Sequence, residues 1–272
     1  MKKFLLVLLL ASFLASAASV KILSPTQQTL SSLGETIDLG VIGPGQTIEV
    51  VADRTSGVKA VTSASGEGIA LWDSLTAVDL PDGWSSKPSK LYEQPLRAFI
   101  TASKNAPDGV YEVSLRLLDE YEGANQFVFK AKITISRKVL ETSLFQEKIV
   151  SGTGQPAVYY IRIANKGSAS DAFDISLQGL PQSWSYSKKV FVPFKSETIV
   201  PYELIATDTG EYKFNFNVVS YSSEDIRSVE NAELKAESSL IQDLRAVSRG
   251  ALLFPNAEQV IYSALGFLFS FD

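Results

Sequence analysis

The sequence predicts an all-β chain: two tandem antiparallel β-sandwiches followed by a short helical tail. Three observations predict it. A pair of landmarks recurs at a period near 100 residues, β-rich runs of alternating hydropathy lie between them, and the last forty residues abandon that alternation. Leu80-Pro81-Asp82-Gly83-Trp84 returns as Leu180-Pro181-Gln182-Ser183-Trp184, an offset of 100. Asp108-Gly109-Val110-Tyr111-Glu112-Val113 returns as Thr209-Gly210-Glu211-Tyr212-Lys213-Phe214, with its tyrosines offset by 101. A period of this length exceeds that of solenoid repeats and matches one sandwich domain.

The N-terminus reads as an export signal. Lys2 and Lys3 precede an apolar run from Phe4 to Ala18, and Ala15-Ser16-Ala17 supplies the small residues a signal peptidase requires. Fifteen helical residues rise only about 22 Å, less than the roughly 30 Å of a bilayer core, so cleavage is preferred over retention as an anchor. Losing the two lysines takes the formal charge from −5 to −7. The expected location is extracellular, at the cell surface.

In the first copy, Ile37, Leu39 and Val41 alternate up to a Gly43-Pro44-Gly45 turn, and Ile48 and Val50 follow. Tyr111, Val113, Leu115 and Leu117 then lead to a polar tip at Glu120-Tyr121-Glu122-Gly123, after which Phe127, Phe129, Ala131, Ile133 and Ile135 return. In the second copy, Val158, Tyr160 or Tyr159, Ile161 and Ile163 run to a turn at Asn165-Lys166-Gly167. Phe173, Ile175 and Leu177 alternate next, then Val190 and Val192, then Ile199 and Tyr202. Tyr212, Phe214, Phe216 and Val218 alternate with Lys213, Asn215 and Asn217, the pattern of a strand with one wet face. Short strands punctuated by turns, with almost no helix between them, specify antiparallel sandwiches.

The tail differs. Ser239 with Gln242 forms a capping-box pattern ahead of Leu240, Ile241, Leu244 and Val247, which share a helical stripe, and Pro255 opens a second helix. Leu252, Leu253, Phe254, Val260, Ile261, Leu265, Phe267, Leu268, Phe269 and Phe271 make that second segment strongly apolar. Its twelve most apolar residues reach about 18 Å as helix, too short to span. Arg245 and Arg249 precede the segment and only Asp272 follows it, opposite to the charge order of a span whose far end is cytoplasmic. The segment is expected to attach to a membrane surface or a membrane-embedded envelope protein, in preference to folding back on sandwiches that have no evident vacancy for its phenylalanines. The expected boundaries are 1–18 for the signal peptide, 19–137 and 138–232 for the sandwiches, and 233–272 for the tail.

Composition removes most chemistry. Without Cys or His, no disulfide, thiolate site, imidazole base or Ser-His-Asp triad can form. The acidic balance disfavours nucleic acid as a partner. Gly43-Pro44-Gly45 and Gly152-Thr153-Gly154 have no helix after them to bind phosphate. No cofactor and no catalytic or metal-binding residue is expected, so the chain is expected not to be an enzyme. Trp72, Trp84, Trp184 and Tyr186 are candidates for stacking on sugar rings. Repetition favours packing for Trp84 and Trp184, whereas Trp72, unpaired in the repeat, is expected to be the exposed ring. Asp119, Glu120 and Glu122 crowd a hairpin tip where Ca²⁺ could sit, but they lack calcium-loop spacing and read better as solvated carboxylates. Asp171 and Asp174 are the remaining candidates for a glycosidase carboxylate pair.

The run Tyr160 to Gly167, with Phe173-Asp174-Ile175, Leu180-Pro181, Trp184 and Gly210-Glu211-Tyr212, resembles the immunoglobulin-like domain attached to α-galactosidases and associated with NPCBM modules. The resemblance covers about residues 140–220. The first copy departs from it by a longer segment between Val51 and Leu80 and by the lack of an Asn-x-Gly turn. It implies an Ig-like fold with an accessory or adhesive role and no catalytic residues. The expected function is a membrane-attached surface structural or adhesion protein, with a polysaccharide-binding accessory protein as the alternative.

Overall fold

The computed structural model describes residues 18–238 except 33, 60–67, 121–124 and 185. The signal segment up to residue 17, the helical tail from residue 239 onward and every proposed attachment residue from Leu252 to Phe271 lie outside the described residues. The chain gathers into two compact units: the first takes residues up to Val139 with Asn165–Asp171 and Pro193–Lys195, and the second takes the rest.

The first unit contains β1 (Val20–Ser24), β2 (Gln28–Leu30), β3 (Thr36–Ile42), β4 (Thr47–Ala52), β5 (Thr55–Lys59), β6 (Ile69–Leu71), β7 (Ser74–Val78), β8 (Ser85–Lys87), β9 (Leu96–Thr101), β10 (Gly109–Leu118) and β11 (Gln126–Ile135). They form a five-stranded sheet, β2-β1-β4-β9-β8, and a four-stranded sheet, β3-β11-β10-β7, with β5 and β6 as a separate hairpin. Alternation decides which side faces the core. Val113, Leu115 and Leu117 on β10 are buried with Phe127, Phe129, Ala131, Ile133 and Ile135 on β11, while Glu112, Lys130 and Lys132 face water. Leu39, Ile48, Val50, Ala98 and Ile100 complete the core from the other strands.

The second unit contains β12 (Leu140–Leu144), β13 (Lys148–Gly152), β14 (Pro156–Asn165), β15 (Asp171–Gln178), β16 (Lys188–Val192), β17 (Ser196–Ile205), β18 (Gly210–Ser220) and β19 (Arg227–Glu237), except that the end residues Asn165 of β14 and Asp171 of β15 group with the first unit. Its sheets are β12-β14-β17 and β13-β19-β18-β15-β16. On β14 the buried set is Ala157, Tyr159, Ile161 and Ile163, so Tyr159 is the core tyrosine and Tyr160 is half exposed. Tyr159 meets Phe214 edge-on at 5.5 Å, Tyr202 meets Phe216 at 5.3 Å, and these rings form the aromatic centre of the core.

Both units thus share an Ig-like order, with one sheet built on the first, second and fifth principal strands and the other on the third and the last two. The pairing is not purely antiparallel. β3 runs parallel to β11, and β13 runs parallel to β19. In each unit an early strand, β3 or β13, thus lies at the edge of the sheet opposite to that of β1 or β12, beside the last strand. The long segment of the first copy becomes the β5/β6 hairpin. The short strand after the Trp landmark also differs, pairing with β9 in the first unit and with β15 in the second. β19 continues to Glu237, past the expected boundary at 232, so residues 233–237 belong to the sandwich and not to a helical tail.

Candidate functional site

The two repeated landmarks meet inside each unit. Trp84 lies 5.3 Å from Tyr111, and Trp184 lies 4.8 Å from Tyr212, ring centre to ring centre. Each tyrosine is the third residue of its strand, and its hydroxyl donates to a carbonyl four residues upstream: Tyr111 to Pro107 at 3.0 Å and Tyr212 to Asp208 at 3.1 Å. This is the tyrosine corner of Ig-type sandwiches, which ties the incoming loop to the strand it enters. Each tryptophan is placed by a tight turn, its backbone N–H donating to Pro81 or Pro181 at 3.1 and 3.0 Å. The first turn closes through Gly83 at φ +75°, which suits the third position of a type II turn, and the second through a 3-10 turn over Gln182–Trp184. Different local sequences therefore deliver the same ring to the same tyrosine.

Packing consumes the tryptophans proposed for glycan stacking. Trp84 and Trp184 are each 8% exposed, and Trp72 is fully buried. The expectation that Trp72 is the open ring is reversed. Its indole N–H donates to Ser19 O at 3.0 Å and its ring packs 6.3 Å from Phe127, so it is a core residue of the first unit. The Arg54 guanidinium secures that position. It donates to Trp72 O at 2.8 Å, approaches Asp73 Oδ1 at 3.4 Å and lies over the Tyr92 ring. The sequence had singled out neither Arg54 nor Asp73, because they meet only through the antiparallel pairing of β5 with β6, which they flank.

Tyr186 alone of the four is open, at 47% exposure. One face lies flat on Tyr202, with centroids 4.5 Å apart and planes 11° apart, and its backbone N–H donates to the Tyr202 hydroxyl at 3.1 Å. The ring thus rests on a buried partner. Burial raises the Tyr202 phenol above the usual tyrosine range. Burial raises Tyr159 further, assisted by the nearby Glu233 charge, and its hydroxyl donates to Glu233 O at 2.7 Å.

The carboxylates do not assemble into a catalytic pair. Asp171 and Asp174 are three residues apart on β15 and therefore project from opposite faces. Asp171 is 5% exposed and accepts from Gln46 Nε2 at 2.7 Å, while Asp174 accepts from the Ser187 hydroxyl. Asp119, expected at a solvated tip, is only 2% exposed and accepts from Asn125 Nδ2 at 3.4 Å. Glu120 donates its backbone N–H to Asp73 at 3.0 Å, and Glu122 lies outside the described residues. Among the described residues no group of three acidic side chains is placed to hold a metal ion, and no helix is long and apolar enough to cross a membrane.

No family model matches the chain, so the resemblance to the α-galactosidase-associated domain stands on its motifs alone. No curated protein matches it either. Similar solved structures include the fibronectin(III)-like modules of Clostridium thermocellum CbhA, at 13% identity over 80% of this chain and 94% of that one, with a TM-score of 0.28. A chimeric titin Z1Z2 carrying an exogenous decorin peptide matches at 11% identity over 82% and 99%, with a TM-score of 0.36. The PapD-like domain 7 of human CEP192 matches at 10% identity over 37% and 85%, with a TM-score of 0.25. At these scores the Ig-like assignment rests on the strand order and the tyrosine corners.

Proposed function

We propose that this is an exported, non-enzymatic surface protein whose two Ig-like units serve as a structural or adhesion scaffold, held at a membrane by the apolar segment after residue 250. One observation carries the reading: the side chains repeated between the units are Trp84 with Tyr111 and Trp184 with Tyr212, and in both units they are consumed in packing. A repeated domain that carries its packing forward, and no constellation of polar groups with it, is built to hold a shape. Expressing the full chain and a chain lacking residues 251–272, then fractionating cells and medium, tests the attachment. The full chain is expected with membranes and the shortened one in the soluble fraction; a full chain already soluble overturns the attachment.

Tyr186 favours a second reading, a carbohydrate-binding accessory protein. A ring stacked on a buried tyrosine and still about half exposed offers apolar area on which a sugar can stack. Quenching of tyrosine fluorescence by an envelope polysaccharide, lost in Tyr186→Ala, is the expected result, and no response to any polysaccharide removes this reading.

A further inference from the structure

The second unit carries a concavity of about 700 Å³ on its five-stranded sheet, within the usual size range of ligand sites. Lys213 and Asn215 on β18 and Asn231 and Glu233 on β19 line it centrally, flanked by Glu147 and Lys148 on one side and Gln178 and Gly179 on the other. Gly179 sits at φ +99°, and a Cβ there would stand 3.1 Å from Lys213 O, so glycine lets the end of β15 lie close against β18. Gln178 is in register with Asn215, and Asn215 with Asn231. Directly opposed residues share a face, so three side-chain amides form a row across three adjacent strands, about 4.8 Å from strand to strand. Among the described residues these amides have no side-chain hydrogen bond or ion pair. Ser176 and Asn217, paired in the neighbouring register, extend the polar face.

The charges in the concavity balance, two of each sign. Lys148 donates to Glu233, and that bond, reinforced by the charges of Lys148, Lys213 and Lys235, holds the Glu233 carboxyl below its usual range. A polyanion therefore finds no excess of positive charge there. An apolar ligand finds no open ring, because Phe214 is buried. An added peptide strand finds no free backbone, because the β18 and β19 main chains are engaged with each other and with their outer neighbours. Each amide offers a donor and an acceptor together, as each sugar hydroxyl does.

We infer that this concavity binds a neutral oligosaccharide chain, with Gln178, Asn215 and Asn231 as its hydrogen-bonding row. The site shares a ligand class with the reading based on Tyr186 but uses none of its residues, so the two fail separately. The test uses the isotope-labelled full chain and follows the side-chain amide resonances of these three residues by NMR. The probes are neutral hexasaccharides of glucose, mannose, galactose and xylose, with inorganic phosphate and a Gly-Ser peptide as controls. At least one hexasaccharide is expected to shift all three amides, and Asn215→Ala with Asn231→Ala to weaken its binding by about tenfold or more without changing the melting temperature. If the double variant melts lower, Asn215→Ala alone is read, with a smaller loss in the same direction. The site is overturned if no hexasaccharide moves these resonances, if phosphate or the peptide moves them as strongly, or if binding survives the substitutions. Binding lost in Tyr186→Ala but kept in the amide variants overturns the concavity and leaves the Tyr186 reading standing.

Discussion

Tyr111 and Tyr212 each combine two jobs, a ring packed on a tryptophan and a hydroxyl that anchors the loop before the strand. The two jobs separate by substitution. Tyr111→Phe and Tyr212→Phe keep the ring and are expected to cost about 1 kcal/mol each, the net worth of one hydrogen bond. Trp84→Ala and Trp184→Ala leave a cavity and are expected to cost about 3–5 kcal/mol. Urea denaturation reads both, and a tryptophan variant within experimental error of the parent would show that the ring is not a packing residue. Tyr159 gives a pH signature. Its phenol is raised in the folded state, so folded protein retains the proton while the unfolded chain releases it above about pH 10. Stability is then fully present below pH 10 and falls as the pH climbs above it, by at most about 1.4 kcal/mol per pH unit for this one group. Tyr159→Phe is expected to start less stable, for want of the bond to Glu233 O, and to show a shallower alkaline decline; an unchanged slope would assign the decline to other groups.

Among the elements, β18 is the central strand of the five-stranded sheet of the second unit, with β19 on one side and β15 on the other. Proline removes a ladder donor, which a central strand cannot spare and an edge strand can. Asn217→Pro on β18 is therefore expected to lower the urea midpoint far more than Phe191→Pro on the edge strand β16, although Asn217 faces outward and Phe191 is the larger residue. Equal effects would mean that side-chain burial, not ladder position, governs this sheet. Most strands were legible because their alternation has period two: β10, β11 and β18 bury the residues their patterns assign to the core, except Tyr111 and Tyr212 at the start of β10 and β18, which are half-buried. The β5/β6 hairpin was visible only as extra length between Val51 and Leu80. The partner of the strand after each tryptophan was not legible at all, because β8 and β16 are only three and five residues long and each lies in the chain between two strands of different sheets.

For the whole molecule, the absence of Cys leaves stability to the cores of the two units, which suits an exported chain only if burial alone suffices. The proposed export makes a direct prediction. Mass spectrometry of the secreted form is expected to show a chain beginning at Ala18 or Ser19, and a mature protein that retains Met1 to Ala17 would mean that the segment is not cleaved.

Composition and period-two patterning are local and additive, so the all-β class, the two repeated units and the removal of imidazole and thiol chemistry could be read from the residues alone. The sequence also marked Trp84 with Trp184, and Tyr111 with Tyr212, as repeated landmarks, whereas the packing of each tryptophan on its tyrosine emerged only in three dimensions. The burial of Trp72, the entry of Tyr159 and not Tyr160 into the core, and the opposite projection of Asp171 and Asp174 came instead from how the strands pack. The amide row was likewise hidden: Gln178, Asn215 and Asn231 each read as ordinary wet-face residues. What joins them is strand register, fixed by hydrogen bonds between segments far apart in the chain, and no single segment encodes it.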